Sequence, residues 1–331
     1  MSLSNADRNE LYSELSQLIG AGFPIGQAVQ TLLDHELPAS QQRVVTRLDR
    51  ALRAGKDLAT ALEEALGKQT EELDIALVRA GQEGGRLPES LDALARHYQR
   101  RHQTTRTIRS QLIYPAALLH LGLLLPTLPK IIAKPDLAPL LTALATLVGL
   151  WVLLLAGYLV LRQLNHTATS GALADTFLNR IPFYGKMRKN GALSRFTAVL
   201  GFFLTAGQTV SASLRAAGRG SGSGLLLSTS GGAASDIERQ GSTLGDAIAG
   251  RPGIPKALLR GIRTAEARGG LDTEMERWSK LYAEATEDAA RSFGAWVPRI
   301  VYFIIVVVVA WQIIQTATAV YSPMFEMLDR M

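Results

Sequence analysis

Histidine and cysteine carry much of the nucleophilic and metal chemistry of proteins, and this chain offers little of either. Its 331 residues contain five histidines and no cysteine. The lack of cysteine excludes a thiolate nucleophile and any cysteine-ligated metal centre. His97 and His102 are five residues apart, which places them on different faces of a helix. No H-E-x-x-H, G-x-S-x-G or S-x-x-K arrangement occurs in a supporting context. We therefore predict no catalytic residue, no metal site and no cofactor, and a non-enzymatic protein.

A glycine cluster at Gly81, Gly84 and Gly85 is the best candidate for binding phosphate. A phosphate cradle needs a preceding strand or an adjacent Lys-Ser/Thr pair, and the sequence has neither. We interpret the cluster as a tight turn between two helices, with Gly81 ending the first of them. Glu83 beside it and Glu266 further along form either a charged contact site for a partner or local helix caps.

A run of arginines follows, with no acidic residue between positions 96 and 109. Such a run contacts anionic lipid headgroups or an acidic partner, or it is a solvated helix face that helps to fix membrane topology. No aromatic stacking platform accompanies the charge, so we predict no binding of nucleic acid. The candidate contact residues are Arg96, Arg100, Arg101, Arg106 and Arg109.

Long apolar segments follow or separate the stretches that contain these residues, and they predict helices that cross a membrane. Residues 137–161 are 25 consecutive uncharged residues, and residues 300–325 are also uncharged. Each exceeds the roughly 20 residues that a membrane-spanning helix needs. Residues 111–133 are a poorer third candidate, with His120 and three prolines, and they could instead be interfacial or re-entrant. We predict three spans, the first two forming a helical hairpin.

The positions of the positive charges predict the orientation of these spans. Arginines flank residues 1–110 and 163–295 where the chain approaches the apolar segments, which places both blocks in the cytoplasm. The hairpin tip and the tail then lie outside. The chain begins without an apolar signal-peptide region, so we predict no cleaved signal peptide. The charge distribution places the N-terminus in the cytoplasm.

Apolar spacing in the first block is helical throughout and predicts six helices, the last leading into the membrane. Ser40, Asp57 and Thr70 are the predicted N-caps of the third, fourth and fifth helices. Alternating apolar residues typical of strands are not found. The fold class predicted is therefore all-α, with no sheet.

The second block repeats the first at an offset of 184 to 186 residues. The segment at 18–29 corresponds to 203–214, that at 52–62 to 237–248, and that at 78–87 to 262–271. An offset this constant indicates one duplicated fold. The glycine- and serine-rich residues 218–235 are the exception, and we predict a flexible loop there.

With these repeated motifs, the sequence resembles the inner-membrane platform proteins of type II secretion systems and type IV pilus machines. The motifs occur in the same order in both halves, between apolar segments at the expected places. Gln82 and Ala265 depart from the family pattern, because each replaces one residue of a Gly-Glu pair. The residues that carry the resemblance are Gly22, Gly55, Leu58, Gly81, Glu83, Gly85, Leu87, Tyr114 and Pro115 in the first half, and Gly207, Gly241, Leu244, Glu266, Gly269 and Leu271 in the second.

This resemblance implies a multi-pass platform of the bacterial inner membrane. The expected partners are a cytoplasmic assembly ATPase, pilin or pseudopilin subunits, other inner-membrane assembly proteins and further copies of the chain. A small transporter and a membrane scaffold unrelated to pili are the competing functions. The predicted segments are 1–110 (first cytoplasmic bundle), 111–162 (transmembrane hairpin), 163–295 (second cytoplasmic bundle), 296–320 (third transmembrane helix) and 321–331 (short periplasmic tail).

Overall fold

The structure, a computed structural model, describes residues 3–128, 137–181 and 184–328. Within these ranges the chain is helical and contains no β-strand, as predicted. Two short 3₁₀ turns lie at Gly67–Gln69 and Leu125–Thr127. The α-helices are α1 (Asn5–Gly20), α2 (Ile25–Asp34), α3 (Ala39–Arg53), α4 (Leu58–Leu66), α5 (Glu72–Glu83), α6 (Leu87–Leu124), α7 (Ala138–Ala168), α8 (Ala172–Leu178), α9 (Tyr184–Thr205), α10 (Val210–Gly220), α11 (Gly224–Gln240), α12 (Leu244–Ala247), α13 (Lys256–Arg268) and α14 (Leu271–Leu328).

The chain divides into two compact units. The first combines Met1–Thr105 with Gln163–Ala289, and the second combines Arg106–Arg162 with Ala290–Met331. Both copies of the repeat therefore lie in the first unit, and their apolar residues form one continuous core. The largest fully buried side chains of that core include Tyr12 and Tyr98 from the first copy and Phe196 from the second.

The first copy has the six helices that the sequence predicts, α1 to α6, but two of the three predicted caps are wrong. Asp57 does cap α4, since its carboxylate accepts a hydrogen bond from the Thr60 backbone N–H at 2.8 Å. Helix α3 begins directly after Pro38, whose fixed φ suits the residue before a helix, so Ser40 lies inside the first turn. Helix α5 begins after Glu71 rather than Thr70.

The predicted flexible loop at residues 218–235 is also wrong, because this stretch forms the end of α10 and most of α11. Its small residues allow the two helices to approach closely. A Cβ atom on Gly218 would overlap the hydroxyl of Ser230, and one on Gly224 would come within 2.7 Å of the Gly171 backbone. Ser230 is itself buried and donates to the Leu226 carbonyl at 2.7 Å. The glycines and serines are therefore packing residues, not signs of disorder.

Among the described residues, one helical stretch is long and apolar enough to cross a membrane, namely Leu140–Ala168 in α7. The most apolar part of this stretch has no buried residue. It overlaps the predicted span 137–161. The other two predicted spans, 111–133 and 300–325, stay predictions, and residues 129–133 lie outside the described ranges.

Within the second unit, His120 of α6 lies beside Trp151 of α7. The Trp151 indole N–H donates to His120 Nε2 at 3.4 Å, and the two ring centroids are 6.0 Å apart. His120 Nδ1 lies 2.6 Å from the Ala116 carbonyl oxygen, which fixes the other ring nitrogen as the acceptor. This contact joins the two helices of the predicted hairpin.

Candidate functional site

Three pairs of motif glycines occupy equivalent turns in the two copies, and all six residues have positive φ. Each lies where one helix ends and the chain turns into the next, a conformation that side chains with a Cβ atom rarely adopt. The equivalence of the backbone supports the duplication inferred from the sequence. The φ values are 93° and 76° for Gly22 and Gly207, 82° and 63° for Gly55 and Gly241, and 66° and 77° for Gly85 and Gly269.

Gly81 was predicted to end α5, and this prediction is wrong. The helix continues through Gly81 to Glu83, and the left-handed residue is Gly85 instead. Gly81 is required for another reason: a Cβ atom there would overlap the Ser90 hydroxyl and lie 3.1 Å from the Leu87 Cα. The residue therefore permits the close approach of α5 and the start of α6.

The motif carboxylate and its amide counterpart act as helix caps supplied from another helix. Glu266 accepts hydrogen bonds from the backbone N–H groups of Leu244 and Gly245 at 2.6 and 2.9 Å, at the start of α12. Gln82, at the equivalent position in the first copy, accepts from the Ala59 N–H at 2.9 Å, at the start of α4. Each side chain satisfies donors that a helix N-terminus leaves without partners. Glu266 thus caps a helix, as one of the two interpretations has it, but the helix is α12 and not its own α13.

Glu83 is not the structural counterpart of Glu266. Its side chain is exposed, and it accepts a hydrogen bond from the Gln208 amide of the second copy at 3.1 Å. Gly84 lies at the same contact, since a Cβ atom there would come within 2.6 Å of the Ala206 Cβ. These residues join the end of α5 to the turn between α9 and α10, and so hold the two copies together.

The remaining motif residues are mostly buried or packed against the core. Leu58 and Leu244 are buried at the starts of α4 and α12, Leu87 is buried at the start of α6, and Leu271 packs against the same core. Tyr114, by contrast, is 65% exposed in the second unit. Of Pro115 the structure describes only the helical backbone.

The predicted arginine row divides into paired and exposed members. Arg96 pairs with Asp92 one turn earlier, and Arg101 pairs at 2.5 Å with Glu71, the residue before α5. Arg106 and Arg109 are exposed on α6, and Arg100 is half-buried. The row therefore presents positive charge where α6 leaves the first unit. A role in contacting lipid or a partner stays a prediction.

A buried polar network in the first copy was missed by sequence reasoning. Arg8 donates to Asp74 at 2.8 Å and to the Tyr98 hydroxyl at 2.8 Å, and Tyr98 donates to the other Asp74 oxygen at 2.7 Å. Arg8 also donates to the Gln69 carbonyl. Asp74 and Tyr98 are fully buried and Arg8 is nearly so. The network ties α1, α5 and α6 together at the centre of the bundle.

Burial dominates the titration of this network. Desolvation raises the pKa of Asp74 to about 6, although Arg8 and the Tyr98 hydroxyl act in the opposite direction. Burial also raises the pKa of Tyr98, with the Asp74 charge adding to the effect. At the residue directly before Tyr98, burial and the nearby Arg195 guanidinium lower the pKa of His97 to about 3. His97 is therefore neutral at physiological pH.

The second copy replaces the ion pair with apolar residues. At the repeat offset, Leu193 stands where Arg8 stands and Leu258 where Asp74 stands, while Tyr282 keeps the place of Tyr98. Both leucines are buried. A different pair lies in the second copy, where Arg188 donates to the fully buried Asp175 at 2.7 Å. Asp175 also accepts from the Leu225 N–H at 3.1 Å, at the start of α11.

These polar groups form internal networks, and none has the geometry of a catalytic or metal site. Among the residues that the structure describes, no cluster of three or more His, Asp or Glu side chains is placed to hold a metal ion. The repeated features are instead turns, remote caps and close helix packing. Together, these features hold the two copies of the bundle in a fixed arrangement.

Comparison with known families supports the duplication directly. Residues 11–131 and 196–315 each match the family described as type II secretion system (T2SS), protein F. The two matches begin 185 residues apart, the offset found within the sequence, and together they cover most of the chain. The chain belongs to the type II secretion system protein F family. Each match contains one helical bundle and the apolar segment that follows it.

Relatives of this chain are named for secretion and for pilus assembly. It is 29% identical over 317 residues to "Type II secretion system protein F" of Xanthomonas campestris pv. campestris, covering 89% of this chain and 78% of the relative. It is 25% identical to "Type 4 fimbrial assembly protein PilC" of Pseudomonas putida, covering 95% and 82%. It is also 25% identical to "Type IV pilus assembly protein PilC" of Thermus thermophilus, covering 89% and 77%.

Proposed function

We propose that this chain is an inner-membrane platform protein for assembling a type II secretion pseudopilus or a type IV pilus. The observation that carries the proposal is the double family match, which covers both bundles and both following apolar segments. Relatives similar over nearly the whole chain are named for these two systems. The internal role of the motif residues fits a structural platform, because they position helices and not a substrate.

The proposed topology places both bundles in the cytoplasm and the hairpin and third span in the inner membrane. Segments 1–110 and 163–295 are cytoplasmic in this proposal, and 111–162 and 296–320 cross the bilayer. It is supported by the exposed arginines at the end of the first bundle and by the apolar helix at Leu140–Ala168. The tail from 321 then lies in the periplasm.

The proposed mechanism is mechanical coupling without chemistry by the chain itself. The bundles contact a cytoplasmic assembly ATPase, and the membrane part receives pilin or pseudopilin subunits. Helices α6 and α14 support this coupling, because each begins in the first unit and ends in the second without a break. A continuous helix transmits displacement better than a flexible linker does. Other inner-membrane assembly proteins and further copies of the chain complete the machine.

Capture of the assembly ATPase by the detergent-extracted full chain tests this function. Deleting the first bundle is a poor variant, because it would uncover the core that α5 shares with α9 and α10. We expect charge reversal of exposed arginines on α3, Arg43→Glu with Arg47→Glu, to reduce ATPase capture at least fivefold. The matched control is Arg219→Glu with Arg239→Glu, on exposed positions of the second copy.

Loss of capture in the first variant alone supports ATPase coupling through the first bundle. An equal loss in both variants means either that the ATPase contacts both copies or that the charge change acts in a general way. A third charge reversal, away from both sets of positions, distinguishes these two explanations. No capture by the folded wild-type chain contradicts the ATPase-coupled mechanism.

A further inference from the structure

The two copies of the repeat are joined through one face of α5, and the equivalent face of α13 is open. Leu73 and Leu77 on α5 are buried, and the end of α5 contacts the α9–α10 turn at Ala206. At the offset of 184, Ala257 and Gly261 are the counterparts of Leu73 and Leu77, and Ala257 is exposed. Within the described residues, α13 has no comparable packing against α1 or α2.

This open face forms a groove between α13 and the first turns of α14, with a volume of about 660 Å³. Gly261 lets the Trp278 indole pack closely against α13, since a Cβ atom there would come within 2.5 Å of the indole nitrogen, and both residues line the groove. Arg260, Arg268 and Arg277 line it. Glu274 also lines it but is paired with Arg277 at 2.5 Å, so the groove has a net positive charge.

The first copy carries the surface that would complete this groove. Its α1–α2 turn is equivalent to the α9–α10 turn that contacts α5. Ala21, the counterpart of Ala206, is exposed, and Phe23, the counterpart of Gln208, is 43% exposed. The adjoining face of α1 carries Glu10 and Glu14, where α9 has Arg195 and Val199.

The charge of this surface is opposite to that of the groove. Partial burial raises the pKa of Glu14, and the neighbouring Glu10 carboxylate raises it further. Two repelling carboxylates on one helix face gain from a cationic partner. A groove lined by three arginines supplies that partner.

We propose that the α13–α14 groove binds the α1–α2 turn of a second copy of this chain. The contact that joins the two halves within one chain is thereby repeated between chains. The proposed contact between chains is wider than the internal contact, because Arg268 replaces Gly84. In the internal contact, a Cβ atom on Gly84 would come within 2.6 Å of the Ala206 Cβ. The Arg268 guanidinium packs on the exposed Phe23 ring and compensates for the lost backbone approach.

The two surfaces differ, so the contact is head-to-tail. Every groove and every α1–α2 turn is occupied only when the chains close into a ring. This inference rests on the homo-oligomer of the proposed function and specifies its surface. Coupling to an ATPase is a separate claim, which the capture experiment tests on its own.

Cysteine crosslinking tests the contact cleanly, because the native chain has no cysteine. Differently tagged full-length chains carrying Phe23→Cys and Arg268→Cys are co-expressed, and their membranes are treated with a short bismaleimide. We expect a product that contains both tags when the two variants are mixed. We expect no product from either variant alone, since a head-to-tail contact does not bring a surface against itself. Glu83→Cys with Gln208→Cys in one chain is the internal control, because these side chains are 3.1 Å apart.

Failure of the mixed product, with the internal control formed, overturns the proposal. A strong product from one variant alone indicates a two-fold contact and also overturns it. The mass of the wild-type chain in lipid nanodiscs separates the causes. An oligomer without the crosslink rejects only this surface, whereas a monomer rejects the homo-oligomer as well.

Charge reversal provides a second measurement. We expect Glu14→Arg to lower the yield of the mixed crosslink at least threefold, and the combination with Arg260→Glu to restore part of it. Glu63→Arg, an exposed reversal on α4, is the matched control and leaves the yield unchanged. A yield that Glu14→Arg does not alter contradicts the charge pairing.

Discussion

Asp74 is a fully buried carboxylate whose partners, Arg8 and Tyr98, come from two other helices. Burying an ion pair costs hydration energy that is about as large as the attraction between the two charges. Such a pair therefore contributes more to selecting one folded conformation than to stability. The second copy of the fold does without it, with Leu193 and Leu258 at the two positions. The chain thus contains its own comparison between a polar and an apolar version of one core.

We predict that Asp74→Leu alone lowers the free energy of unfolding by about 3–5 kcal/mol, because it leaves the Arg8 guanidinium buried without its counter-ion. Arg8→Leu combined with Asp74→Leu reproduces the second copy and should recover about 2 kcal/mol or more of that loss. Thermal and denaturant unfolding of the detergent-solubilised chain measures both. A double variant as unstable as the single one would show that the pair stabilises this copy specifically.

His97 should make the first unit sensitive to acid. Its pKa is lowered from 6.5 to about 3, so the unfolded chain takes up a proton below pH 6.5 that the folded chain refuses. Stability is then lost by up to about 1.4 kcal/mol per pH unit as the pH falls from 6.5 toward 3. Asp74 acts in the opposite direction, because its raised pKa lets the folded state bind a proton first.

Because Asp74 offsets part of this loss, we expect the His97→Gln variant to gain stability relative to the wild type as the pH falls from 6.5 to 4.5, measured as melting temperature against pH. His102→Gln, on an exposed position of the same helix, is the control and should leave the profile unchanged. An unaltered profile in His97→Gln would show that this histidine does not carry the acid sensitivity.

At the scale of elements, the helices and turns of the first copy followed from apolar spacing and from glycine positions. The errors at Gly81 and at residues 218–235 have one physical cause. Glycine marks a turn when φ is positive and a close contact when a neighbouring helix passes, and only the folded chain shows which applies. Ser90 and Ser230 supply the close neighbours here. The Arg8–Asp74 pair was missed for a similar reason, because 66 residues separate its members in the sequence.

The remote caps give a prediction for the motif carboxylate. Glu266→Ala leaves the Leu244 and Gly245 N–H groups without their acceptor and should cost about 1–3 kcal/mol of stability. Glu266→Gln keeps an amide oxygen, as Gln82 does in the first copy, and should cost less. Glu83→Ala, at an exposed hydrogen bond, should cost under about 1 kcal/mol. Equal losses at Glu83 and Glu266 in chemical denaturation would contradict the cap assignment.

Two helical glycines should respond to alanine with opposite signs. Gly81→Ala forces a Cβ atom into the Ser90 hydroxyl and should destabilise by about 1–3 kcal/mol, with Ser90→Gly restoring part of the loss. Gly26→Ala in α2 meets no atom within 4 Å and should stabilise by about 0.5–1 kcal/mol. Melting temperatures of the two variants test this, and a loss of stability in Gly26→Ala would contradict it.

For the whole molecule, the sequence predicted a duplicated all-helical fold, and the two family matches and the helices of the described residues bear this out. The apolar residues of the two copies form one core. It did not predict that the two copies share that core. Residues 1–105 and 163–289 are separated in sequence by the hairpin, and periodicity within each block says nothing of contacts between blocks. The open counterpart of the shared face, on α13, became visible only once the copies could be compared in the fold.

The proposed topology predicts which sites a membrane-impermeant thiol reagent reaches in intact cells. Lys134→Cys, at the hairpin tip outside the described residues, should be labelled from outside. Arg53→Cys and Arg219→Cys, one in each bundle, should be labelled only after the membrane is opened. Labelling of either bundle in sealed cells would contradict the cytoplasmic assignment of both, since they form one unit.

The shared core also sets an order of events during synthesis. A nascent chain emerges N-terminus first, and α5 ends at Glu83, whereas its partners α9 and α10 begin only at Tyr184 and Val210, 101 (184 − 83) and 127 (210 − 83) residues later. Between these two points the ribosome makes the whole hairpin. In the proposed topology, Leu73 and Leu77 therefore stay uncovered until the hairpin has entered the bilayer and the second copy has returned to the cytoplasm. The proposed topology therefore makes maturation of the first unit depend on membrane insertion, and a stalled hairpin would leave the apolar surface of the first bundle exposed to chaperones.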